Sequence, residues 1–101
     1  MKQEIIERLR EIRERKVEHL TINDILFIVK CKKVKDNVIN SFVDNIIDIF
    51  TYNLFNKTDF FDDISFIELV LARLKDNKLY NNVKKYYKDN IDNIVNDIIN
   101  I

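Results

Sequence analysis

Apolar residues recur at spacings of three and four along most of the chain, which predicts helices throughout. In KQEIIERLREIRERKV, residues 2–17, Ile5, Ile6, Leu9 and Ile12 form a narrow stripe. Glu4/Arg8 and Glu11/Arg15 stand four apart in the order that supports a helix. So narrow a stripe is expected to lie on a surface, making residues 1–19 a charged, appended N-terminal element. Thr21 followed by Asp24 caps a second helix, Ile22 to Lys32. Its run from Ile25 to Val29 would suit a buried strand, but no strand or turn nearby could pair with it. Asp36 caps the third and longest helix, ended at Asn56. On its wheel Val38, Ile39, Phe42, Val43, Ile46, Ile47, Ile49, Phe50 and Leu54 fill about half the circumference, with Asn40, Asp44, Asp48 and Thr51 opposite. The connector NKTDFFDD leads to a fourth helix over ISFIELVLARLK, capped by Asp62 or Asp63 and stopped at Asp76 and Asn77. From Lys78 to Ile101, Val83, Tyr87, Ile91, Ile94, Val95 and Ile98 share one side, a fifth helix with a break near Asp89 and Asn90.

The fold class is therefore all-α, and 101 residues allow one domain, 1–101, with one small core. Seventeen basic residues balance seventeen acidic ones, so overall charge selects no partner. The chain has no glycine and no proline. Phosphate loops, dinucleotide fingerprints and nucleophile elbows depend on glycine, so those enzyme classes are excluded. A lone Cys31 and a lone His19 make neither a disulfide nor a metal site, and no cofactor or small-molecule substrate is expected. The adjacent Asp62 and Asp63 are explained by helix capping, since neighbours on a helix do not face each other. Tyr80, Tyr86 and Tyr87 with Lys84, Lys85 and Lys88 form a basic and aromatic patch, read as a solvated face because Tyr87 belongs to the apolar stripe. The longest apolar run, Ile25 to Val29, falls far short of the roughly 20 residues of a membrane span. The expected setting is intracellular, in nucleus or cytoplasm, or in host cytoplasm for a viral protein.

The succession of short helix, basic loop, long helix, connector, short helix and final helix resembles the histone fold over residues 22–75, with 78–101 as a C-terminal extension. Asn56-Lys57-Thr58-Asp59-Phe60-Phe61-Asp62-Asp63-Ile64 is similar to the second histone loop, and Lys57, Thr58, Asp63 and Ile64 match its pattern. The following SFIELVLARLKDNKLYNNVKKYY looks like the end of TBP-associated-factor and Spt-type transcription subunits. Asn56 stands where histones carry an arginine and Asp59 where an apolar residue is usual, so nucleosome-like wrapping is not implied. The resemblance implies a subunit of a transcription or DNA-associated complex. It also brings the two loops together, making Lys30, Lys32, Lys33, Lys35 and Lys57 candidates for weak, sequence-independent nucleic-acid contact.

The wide apolar face of the third helix gives an independent expectation. Short flanking helices would leave part of it uncovered, so Phe42, Val43, Ile46, Ile47 and Phe50 are expected to meet a second copy or another helical protein. The functional expectation is a non-enzymatic dimerisation or protein-interaction module. The alternatives are another small five-helix bundle and, for function, a small helical effector of a virus or mobile element that inhibits a host protein.

Overall fold

The computed structural model describes residues 1–56, 64–87 and 89–101. Among these the chain is all-helical, with no strand: α1 (Lys2–Arg13), a 3-10 turn (Val17–His19), α2 (Ile22–Lys32), α3 (Asn37–Asn56), α4 (Phe66–Lys75), α5 (Asn77–Lys84) and α6 (Asp92–Ile99). The centre is the pair α3 and α4. α1, α2 and α4 pack on α3, while α5 and α6 pack on α4.

Local chemistry sets most helix starts. The Thr21 hydroxyl accepts from the Asp24 amide, and Asp24 Oδ2 accepts in return from the Thr21 amide at 3.0 Å, a reciprocal cap on α2. Asp36 Oδ1 accepts from the amides of Val38 and Ile39 at the start of α3, and its other oxygen lies 3.1 Å from Lys2 Nζ. Asp76 is extended and accepts from the Leu79 amide at 2.7 Å, so one residue both ends α4 and opens α5.

Several expectations are corrected. α1 ends at Arg13, because the chain turns there and carries Arg15 back to Asp24. Nor is α1 an appendage: Ile6, Leu9 and Ile12 are buried and belong to the common core. A narrow stripe is sufficient when it lies over another helix. α4 takes its cap from Ser65, whose hydroxyl accepts from the Glu68 amide, while Ile64 is already buried ahead of it. Asp62 and Asp63 lie outside the described residues, as do Lys57, Thr58 and Asp59. Thr51, expected on the polar side of α3, is buried, and its hydroxyl donates to the Ile47 carbonyl at 2.7 Å.

The break expected near Asp89 and Asn90 is present and divides the last segment into two helices, interrupted between Lys84 and Asp92. A straight helix over 78–101 would run about 36 Å, against extents of 40 × 25 × 21 Å for the whole molecule. The interruption lets Leu79, Tyr80 and Val83 of α5, and Ile91 and Val95 of the following segment, enter the same core. Tyr80 Oη donates to Asp92 Oδ1 at 2.7 Å across the break, and Lys84 Nζ lies 3.3 Å from the same oxygen.

Candidate interaction surface

The apolar half-circumference of α3 is two stripes with different fates. Ile39, Val43, Ile46, Ile47, Phe50 and Leu54 are buried in the chain's own core. Of the five residues expected to meet a partner, Val43, Ile46, Ile47 and Phe50 are thus enclosed by the chain itself. The physical reason is that α1, taken from sequence as an outlying element, joins α2 and α4 in covering them. Phe42 is half-buried at the edge, with the guanidinium groups of Arg10 and Arg13 each 5.6 Å from its ring centroid.

The second stripe faces outward. Val38, Ile49, Tyr52 and Phe55 are 46%, 47%, 66% and 52% exposed. At 100° per residue, Val38, Phe42, Ile49 and Tyr52 fall within about 80° of the helix wheel, whereas Phe55 falls on the flank that carries Asp44 and Asp48. Asn45 occupies the gap and is exposed. The charged residues of α3 are Asp44 and Asp48, both on one flank. Each meets a cation of another helix: Lys32 lies 3.7 Å from Asp44, and Lys75 donates to Asp48. The stripe itself is therefore uncharged from Val38 to Tyr52, a length of about 21 Å at the helical rise. Beside its C-terminal half lies a cleft of about 370 Å³ lined by Asp48, Thr51, Tyr52, Phe55 and Lys75. Tyr52 and Phe55 escape a reading by wheel alone; the signal for them was an apolar arc wider than one packing contact covers.

The basic residues do not form one patch among the described residues. Lys32 turns toward Asp44 on α3, whereas Lys33 Nζ donates to the Ile101 carbonyl at 2.7 Å. Lys30 and Lys35 are exposed, and Lys57 lies outside the described residues. Successive lysines of a helix point about 100° apart, which scatters them. In the second basic cluster Tyr80 is buried and Lys84 is held by Asp92. Lys88 lies outside the described residues.

His19 is exposed on the 3-10 turn, while Cys31 is buried and its thiol is pushed up by burial, with the Arg8 charge opposing in part. Among the described residues no three His, Cys, Asp or Glu side chains are placed to hold a metal ion, and no helix is long and apolar enough to cross a membrane. Compared with models of known families, with curated proteins and with solved structures, the chain matches none.

Proposed function

We propose that this chain is a non-enzymatic helical interaction module that pairs with a second copy through the outer stripe of α3. The observation that carries this reading is the uncharged run of Val38, Phe42, Ile49 and Tyr52 on the longest helix. Two copies related by a two-fold axis would lay this stripe on itself without opposing like charges. Asn45 sits at its middle, and a side-chain amide both donates and accepts, so it can pair with its own symmetry mate. Burying the exposed parts of Ile49 and Tyr52 contributes about 1 kcal/mol each per subunit.

The enclosed inner face bears on the choice of surface. A dimer built on Val43, Ile46, Ile47 and Phe50 would have to open the core, so the resemblance to histone-fold subunits, carried by the short, long, short order of α2, α3 and α4, does not supply the interface. The non-enzymatic reading is supported by the chemistry of the two side chains best suited to catalysis. An exposed His19 and a buried Cys31 with a raised thiol pKa are far apart in environment and make no activated pair.

Sedimentation of the wild-type chain and of Ile49→Glu/Tyr52→Glu tests the proposal. The expected result is a concentration-dependent dimer that the double substitution converts to a monomer of unchanged helicity. A wild-type chain that stays monomeric at high micromolar concentration, or a double variant that still dimerises, overturns it.

A further inference from the structure

Among the described residues five cations meet acidic partners: Lys2 with Asp36, Arg15 with Asp24, Lys32 with Asp44, Lys75 with Asp48 and Lys84 with Asp92. Between α1 and α2 the pattern changes. A cleft of about 300 Å³ is lined by Arg8 of α1 and by Asn23, Leu26, Phe27 and Lys30 of α2. Leu26 and Phe27, both half-buried, form its floor. The Arg8 guanidinium lies 4.1 Å from the centroid of the Phe27 ring, so stacking holds the charge at the cleft wall. Neither Arg8 nor Lys30 has a carboxylate within ion-pair distance among the described residues. The α2 residues stand at i, i+3, i+4 and i+7, one face of the helix. The cleft thus offers an apolar floor, two cations, one amide and no acid.

We propose that this cleft docks a short acidic peptide segment of a partner protein. One large apolar side chain sits on Leu26, beside the Phe27 ring that Arg8 covers, and flanking Asp or Glu residues pair with Arg8 and Lys30. The charge of the lining is complementary to such a segment, and among the described residues no carboxylate of the chain itself lines the cleft. Arg8 is positioned in advance by the ring beneath it, so less side-chain freedom is lost when it binds a carboxylate. A nucleic acid fits less well, because Arg8 already covers the Phe27 face that a base would stack on. Exposed Glu4, Glu7 and Glu11 on α1 would also meet a phosphate chain along its length. The same glutamates oppose an anionic bilayer. A peptide can place its carboxylates at the two cations alone. Phe42, with Arg10 and Arg13, lies on the other flank of α1, so this docking does not rest on dimerisation through α3.

The test is selection of displayed random peptides, about a dozen residues long, on the full chain, followed by titration of a labelled winner. The expected pool is rich in Asp and Glu next to Leu, Ile or Phe. Arg8→Met/Lys30→Met, which keeps side-chain length and removes charge, should weaken the labelled peptide at least tenfold with helicity unchanged. Lys85→Met, away from the cleft, should leave it unaltered. The charge-reversed Arg8→Glu/Lys30→Glu should select basic peptides instead. A pool without acidic enrichment, or equal binding by the double methionine variant, overturns the proposal. So does a chain that selects no peptide but binds labelled oligo-dT or phosphatidylserine vesicles through these two cations.

Discussion

The guanidinium of Arg15 donates to the buried carboxylate of Asp24, joining the turn after α1 to the first turn of α2. Asp24 serves two purposes at once, since the same oxygen that receives Arg15 also accepts the Thr21 amide of the cap. Burial pushes its pKa up, but the Thr21 amide and Arg15 together outweigh burial and hold the carboxyl below its ordinary value.

The sign of the resulting pH dependence follows. The folded pKa lies below the unfolded value of about 3.9, so the stabilisation is full above that value and lost as pH falls through the folded one. Asp24→Asn is expected to lower stability at neutral pH and to flatten its decline below about pH 4. Asp24→Ala, which also removes the cap, should cost about 1–3 kcal/mol. Urea unfolding at several pH values checks both.

Ile46 and Ile49 stand three residues apart on α3 and are expected to respond in opposite ways. Ile46 is fully enclosed, so Ile46→Asp buries an unpaired charge and should cost several kcal/mol, on the order of the whole stability of a small domain. Ile49→Asp is expected to change folding stability of the subunit by less than about 1 kcal/mol while weakening self-association. Denaturant unfolding and sedimentation of the two variants separate the inner stripe from the outer one.

Leu9 reports whether α1 belongs to the core. It is fully buried, so Leu9→Ala should destabilise the whole chain by about 2–5 kcal/mol, in one cooperative transition rather than by fraying of one helix. Helicity and hydrogen exchange followed together make the check.

Tyr80 is pushed up to about 12 by burial and by its hydrogen bond to Asp92. The hydroxyl is raised above its unfolded value of about 10, so its contribution is full below that pH and gone once pH passes the folded value. The Tyr80 phenolate should therefore appear near pH 12 in a spectrophotometric titration. In Tyr80→Phe this step should be missing.

The positions of the helices were legible because their signals are local. Thr21 with Asp24, Asp36 and Asp76 sit within three residues of the amides they cap, and the apolar spacing of α2, α3 and α4 needs no distant partner to be read. Which side of a helix turns inward is a different kind of fact. The wheel of α3 carries apolar residues over about half its circumference, and nothing in its own periodicity separates Ile46 from Ile49. That division depends on where α1, α2 and α4 come to rest. The same holds for α1, whose stripe of Ile6, Leu9 and Ile12 looks too narrow for a core element until α3 lies beneath it. The break between α5 and α6 arises from fitting two stripes to one core, and the Arg8 and Phe27 stack joins helices that the sequence spaces nineteen residues apart. Residue order alone determined the helices and most of their ends, because capping and periodicity act over one or two turns. Tertiary structure decided the faces and the clefts, because burial depends on contacts between segments far apart in the chain.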